Sequence, residues 1–186
     1  MHTRRRLLST VLTLPLLALS LQAAQPTVGD KVPDFTLTSF DGKQTALAGL
    51  YEKGPVALVV LRGYPGYQCP FCQRQVQEFV EHAAEFDAAG IQVVFVYPGP
   101  PDQLQSRVAE ALTGKNFPAS YTMLLDPGYA FTTQYGLRWD GPNETAYPST
   151  FLISKGGAVF YAQIAKLHSG RTSAATILSY FPKKKG

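Results

Sequence analysis

Cys69-Pro70-Phe71-Cys72 holds the only two cysteines of this 186-residue chain, two residues apart. Thiols so spaced can exchange electrons as a dithiol/disulfide couple, close a static structural bridge, or supply half of a zinc site. Zinc needs four ligands, and the sequence has no second C-x-x-C and no H-x-x-x-H to complete the set. The flanking residues favour the redox couple. An apolar run, Pro55-Val56-Ala57-Leu58-Val59-Val60-Leu61, precedes the pair, and Val76, Phe79, Val80 and Ala83 follow at helical spacing. Strand, short loop, C-x-x-C, helix is the setting in which this motif does redox chemistry. A cysteine at a helix N-terminus faces free backbone N–H groups and the positive end of the helix dipole, both of which favour thiolate over thiol. Pro70 suits the first helical position, where its missing N–H costs nothing. Cys69 is then the N-cap, and Cys72 lies one turn on, placed to close a disulfide.

The elements that must hold this pair fit one domain. Hydrophobic residues make up 45% and aromatics 12% of the chain, enough for a core, and charged residues only 16%. The first 24 residues read as a removable leader: Thr3-Arg4-Arg5-Arg6, an apolar stretch from Leu7 to Leu21 broken by Pro15, then Gln22-Ala23-Ala24 for cleavage. The stretch is short and interrupted for a spanning helix, so no membrane insertion is expected after cleavage. The basic start followed by apolar residues also loosely resembles a twin-arginine signal. Three of the 17 Lys and Arg leave with the leader, so 14 face 13 acids and the net charge falls to +1. Three of the rest, Lys183 to Lys185, belong to a basic tail at 183–186. The apparent basicity is targeting plus tail and gives no reason to expect nucleic acid. An exported C-x-x-C meets an oxidising compartment, so a cycling pair there needs an external dithiol donor.

Along residues 25–182, Phe35-Thr36-Leu37-Thr38 alternates as a short strand. Asp41-Gly42 is a turn signal, and Gln44 to Leu47 returns as a hairpin. Val56 to Leu61 is a buried central strand. A helix runs from the motif to Ala89, capped by Gly90. Ile91 to Tyr97 is the second central strand, and Asp102 to Leu112 a helix. Thr122 to Asp126 is a strand, Pro127 to Tyr135 a short helix, and Leu137 to Tyr147 a polar loop holding Trp139. Ser149 to Ile153 and Ala158 to Tyr161 pair across Lys155-Gly156-Gly157, and Thr172 to Phe181 is the last helix. The pattern predicts an α/β fold, a central mixed sheet flanked by helices with an N-terminal β-hairpin extension.

This order, with Tyr147-Pro148-Ser149-Thr150-Phe151-Leu152-Ile153 before the closing hairpin and helix, resembles the thioredoxin-like fold. Within it the chain resembles the alkyl hydroperoxide reductase C/thiol-specific antioxidant family, the peroxiredoxin-like redoxins. Val28-Gly29-Asp30-Lys31-Val32-Pro33-Asp34-Phe35 matches the family's opening segment and Asp41-Gly42-Lys43 its next turn. Peroxiredoxins carry P-x-x-x-T/S-x-x-C. Here Pro65 and Cys72 stand in register, with Cys69 at the Thr/Ser position. That register implies that Cys72 attacks peroxide and Cys69 resolves. Similarity to thioredoxin-like oxidoreductases implies the reverse, with Cys69 attacking and Pro148, in a cis bond, receiving substrate. The family's arginine before the strand at Thr150 is replaced by Pro148. Arg62, Arg74, Arg138 and Arg171 are candidate substitutes, and Arg62, ending the strand before the active loop, is the best placed.

Three functions follow. The first is an exported, antioxidant thiol peroxidase reducing hydroperoxides through a Cys69–Cys72 redox-active disulfide, regenerated by an external dithiol and needing no cofactor or metal. The second is a thiol-disulfide oxidoreductase acting on protein disulfides. The third is a copper-binding redoxin using Cys69, Cys72 and His168, since thiolates suit Cu(I). The copper carriers of this fold space their cysteines one residue wider. His82, mid-helix, reads as packed or solvated, and Glu78 and Glu81 as a solvated face.

Overall fold

The computed structural model describes residues 24–181. The leader through residue 23 and the tail at 183–186 lie outside them. The elements are β1 (Thr36–Ser39), β2 (Gln44–Ala46), α1 (Leu47–Tyr51), β3 (Val56–Val60), α2 (Pro70–Glu81), α3 (Ala83–Ala89) and β4 (Gln92–Gly99). They continue with α4 (Leu104–Leu112), β5 (Thr122–Pro127), α5 (Ala130–Gln134), β6 (Ser149–Ile153), β7 (Val159–Ile164) and α6 (Ala174–Leu178). One seven-stranded sheet runs in the order β2-β1-β5-β4-β3-β6-β7. β3, β4 and β5 are parallel, while β6 runs antiparallel to β3, and β7 to β6. The β1–β2 hairpin adds to the β5 edge antiparallel. This is the expected mixed sheet with its N-terminal extension.

The unbroken apolar run at β3 has a simple cause. Side chains alternate between the two faces of a strand, and here both faces are covered. Ala57, Val59 and Leu61 pack on one side with Val76 and Phe79 of α2 and Ile177 of α6. Val56, Leu58 and Val60 pack on the other with Leu47 and Tyr51 of α1 and Phe131 of α5. Helix α2 is fixed to the first face by its aromatic ring Phe79, stacked on Phe86 at 5.3 Å and edge-on to Phe95 at 5.4 Å. The hydroxyl of Tyr121 also donates to the Phe79 carbonyl at 2.7 Å. Tyr121→Phe should lower stability by about 1 kcal/mol, since it leaves a buried carbonyl with a weakened partner set. A denaturant midpoint unchanged from the parent protein would show that this bond does not hold α2.

Several boundaries differ from the sequence expectation. The single helix expected to reach Ala89 is broken at His82, which has φ −98° and ψ 13° and ends α2 while capping α3. Its Nδ1 meets Glu85 Oε1 at 2.7 Å, so the imidazole pairs with the third residue of the new helix. Strand β4 runs on through Pro98 and Gly99. Proline lacks the N–H but still accepts through its carbonyl, which takes the N–H of Tyr64 at 3.0 Å. Helix α6 starts later than expected, where the Ser173 hydroxyl caps the N–H of Thr176 at 3.1 Å. Glu78 is no solvated residue: its Oε1 accepts from the N–H of Ala174 at 2.8 Å and ties α6 to α2. Helix α1 was not foreseen. Between β3 and the active loop, Gly63 has φ 73°, and a Cβ there would lie 1.8 Å from the Pro98 carbonyl oxygen. Only glycine lets the loop leave the sheet at this point.

Candidate active site

The loop between β3 and α2 delivers Cys69 and Cys72 to the end of the parallel strands. Cys69 is the N-cap of α2, with φ −73° and ψ 117°, and Pro70 is the first helical residue. Cys72 sits in the first turn. No capping hydrogen bond of normal length closes at Cys69. Its large sulfur is acted on at longer range by the N–H groups of Phe71 and Cys72. Both thiols are free and each is only 2% exposed.

Two arginines flank the sulfurs. Arg171, from the segment after β7, places Nη2 3.3 Å from Cys72 Sγ and 3.9 Å from Cys69 Sγ. The rest of its guanidinium is fixed: Nη1 donates to Gln75 Oε1 at 2.8 Å and Nε to the His168 carbonyl at 2.9 Å. Gln75 is itself anchored to the Thr172 carbonyl at 3.1 Å. Arg62, where β3 gives way to the active loop, is 1% exposed. Its Nε pairs with Glu144 Oε2, its Nη1 donates to the Tyr67 hydroxyl at 2.9 Å, and its Nη2 donates to the Asn143 carbonyl. Burial opposes the Arg62 charge, but Glu144 and Tyr67 outweigh it and raise the pKa.

These surroundings separate the two thiols. The Cys72 thiol donates to the Cys69 sulfur, the largest influence on Cys69. Burial works against ionisation there, but the N–H of Cys72, the Arg171 charge and the N–H of Phe71 add to the donation. Cys69 is held down to about 4, far below an ordinary thiol. Cys72 goes the other way. Complete burial pushes it well above the usual thiol range, and the bond to Cys69 and the negative charge there push further; Arg171 and the N–H of Arg62 oppose. These influences favour the thiolate on Cys69 and the thiol on Cys72. Burial also pushes the Tyr97 phenol upward, and its hydroxyl donates to Gln68 Oε1 at 2.8 Å.

Of the residues expected at the site, Pro65 lies half-buried in the loop carrying the cysteines. Pro148 is buried at the head of β6, and no described peptide bond is cis, so Tyr147–Pro148 is trans rather than in the cis form expected by analogy with thioredoxins. Arg74 lies over the Phe71 ring at 4.5 Å, and Arg138 over Tyr129 at 4.0 Å. Arg171 is the arginine that spans both sulfurs, whereas Arg62 spends its N–H groups on Glu144, Tyr67 and Asn143. His168 Nε2 turns to Glu144 Oε1 at 2.9 Å instead of to the sulfurs, its ring 6.4 Å from Phe71 and 5.4 Å from Trp139. Among the described residues no three His, Cys, Asp or Glu side chains converge as a metal site. Sequence reasoning missed Glu144 and Gln75. Neither lies in a motif, and both act on groups more than 80 residues away in the chain.

The sequence profile of the AhpC/TSA family matches residues 28–162. A Mycobacterium tuberculosis protein named "Putative peroxiredoxin" is 31% identical over 143 residues, covering 74% of this chain and 84% of the relative. The thiol-disulfide oxidoreductase ResA of Geobacillus thermodenitrificans is 27% identical over 132 residues, 71% of this chain and 66% of that protein. Among solved structures, a peroxiredoxin-like protein from Aquifex aeolicus superposes with a TM-score of 0.68 at 20% identity, over 84% of this chain and 86% of that one. Family match, relatives and fold agree with a buried dithiol at a helix start, and on these grounds the chain belongs to the AhpC/TSA family of peroxiredoxin-like thiol oxidoreductases.

Proposed function

We propose that this protein is an exported thiol peroxidase that reduces hydroperoxides through Cys69 and Cys72. The observation that carries the reading is the enclosure of the pair: each cysteine is 2% exposed, beneath a guanidinium 3.3 Å and 3.9 Å from the two sulfurs. A protein disulfide must bring two chains' worth of backbone to the attacking sulfur. A hydroperoxide brings two oxygens, and Arg171 is placed to polarise them.

The directions of the two thiol shifts support attack by Cys69, the reverse of what the Pro65 register implies. The Cys69 thiolate takes the terminal peroxide oxygen as the O–O bond breaks. The alcohol leaves with a proton, and Cys69 becomes a sulfenic acid. The Cys72 sulfur then attacks Cys69. Water leaves, and a Cys69–Cys72 disulfide remains, two electrons having passed from the pair to the peroxide. An external dithiol returns them by exchange. Export rests on the leader sequence, and it makes that donor indispensable.

The test is to purify the protein from a periplasmic extract, read its first residue, and reduce it. Single-turnover consumption of hydrogen peroxide and cumene hydroperoxide is then compared with reduction of insulin. We expect an N-terminus at Ala24 or Gln25, one equivalent of peroxide consumed per pair, and insulin reduced far more slowly. Faster reduction of insulin than of either peroxide would make the protein a disulfide oxidoreductase.

A further inference from the structure

We propose that Glu144 is a positioning residue that holds Arg62 directly and Arg171 through His168, so that one carboxylate in the 137–147 loop sets the geometry of the peroxide-reacting centre. This rests on the reading of Cys69 and Cys72 as the reacting pair.

The two arms start from the two oxygens of one side chain. Oε2 pairs with the buried Arg62 Nε, at the point where the chain leaves β3 for the loop that carries both cysteines. Oε1 meets His168 Nε2 at 2.9 Å. A carboxylate only accepts, so His168 carries its proton on Nε2. The His168 carbonyl in turn holds Arg171 Nε at 2.9 Å, and Arg171 reaches Cys72 at 3.3 Å. The carboxylate is thus the join between the segment after β3 and the segment after β7. It comes from a third segment, 82 residues from Arg62 and 24 from His168. Asn143 beside it adopts φ 58°, a left-handed conformation that is uncommon outside glycine, and gives its carbonyl to Arg62.

Burial acts to raise the Glu144 pKa, but the bonds and charges of Arg62 and His168 outweigh it and keep the group below the usual carboxylate range. It is therefore a fixed anion at neutral pH. Its two possible effects on the pair have opposite signs. As a bare negative charge it would disfavour the thiolate, and removing it would make Cys69 ionise more readily. As the clamp on two cations it favours the thiolate, and removing it would make Cys69 ionise less readily. The other titratable groups against this network are Tyr97 of β4, beside Cys72, and Tyr67 of the active loop, whose hydroxyl accepts from Arg62 Nη1.

Glu144→Gln separates the two. Arg62 and His168 meet different oxygens of Glu144, and a glutamine replaces one of these with an NH2 donor and removes the charge, so it cannot keep both bonds as they stand. The readout is the ultraviolet absorbance of the thiolate in the reduced protein, titrated against pH with the disulfide form as baseline. This needs neither peroxide nor a reductant, so it stands apart from the test of peroxidase activity. We expect the midpoint to rise by about one pH unit, the scale of losing a well-placed opposite charge. Glu144→Asp keeps the charge and shortens the reach, and should also raise the midpoint, by less. A fall or no change in Glu144→Gln overturns the proposal. Should that variant fail to fold, with Arg62 left buried and unpaired, an unchanged midpoint in Glu144→Asp overturns it.

Discussion

Cys69→Ser should lose sulfenic-acid formation, whereas Cys72→Ser should accumulate it. In Cys72→Ser the serine hydroxyl can still donate to Cys69, replacing the largest influence on that thiolate, and the helix N–H groups and Arg171 remain. The first chemical step survives and the resolving step does not, so the sulfenic acid waits. In Cys69→Ser the remaining thiol is the fully buried Cys72, whose pKa is pushed well above the usual range. An ordinary thiol is only a few per cent ionised at pH 7, and a raised one less. We expect the rate of peroxide reaction to fall at least about 100-fold. The measurement is a rapid mix with hydrogen peroxide, unfolding in the presence of a dimedone-type probe, and peptide mapping. Label on Cys69→Ser together with none on Cys72→Ser would restore the assignment implied by Pro65, with Cys72 attacking.

Arg171→Met should lower kcat/KM for hydroperoxide by about 10²–10³-fold, the usual cost of removing one preorganised donor from a site where charge develops. Methionine matches the length but carries neither the charge nor the fork. The loss has two parts: less thiolate on Cys69, and no donor for the oxygens as the O–O bond stretches. Raising the pH recovers the first part and not the second. Arg171→Lys should recover only part of the rate. A lysine keeps the charge but cannot bind Gln75, the His168 carbonyl and two sulfurs at once. A methionine variant within about threefold of the parent rate, far short of the usual cost of a donor, would reduce Arg171 to a packing residue.

The parts of this protein set by neighbours in sequence were legible in it. Cys69 and Pro70 at the start of α2 could be placed because capping and the first-turn preference of proline act within four residues. The hairpin at Asp41-Gly42 and the left-handed cap at Gly90 are equally local, and the double-sided burial of β3 shows in its unbroken apolar run. What was not legible lies where partners are distant. Arg171 and Arg62 look alike in the sequence; only the return of the chain after β7 brings Arg171 over the sulfurs, 99 residues from Cys72. Glu144 sits in a segment that reads as an ordinary polar loop. The break at His82 was hidden because the apolar spacing runs through it, and the Glu85 bond that sustains it has no strong sequence signal.

The enclosure of the two sulfurs has a consequence for anyone counting them. Alkylating reagents added to the folded, reduced protein should modify the two free cysteines far more slowly than they do after unfolding. A native thiol count taken over a short reaction time should fall short of two and reach two on unfolding. Surveys that infer oxidation from missing alkylation in gently prepared extracts will therefore overstate how much of this protein is oxidised, reporting a shielded side chain as though it were a redox state.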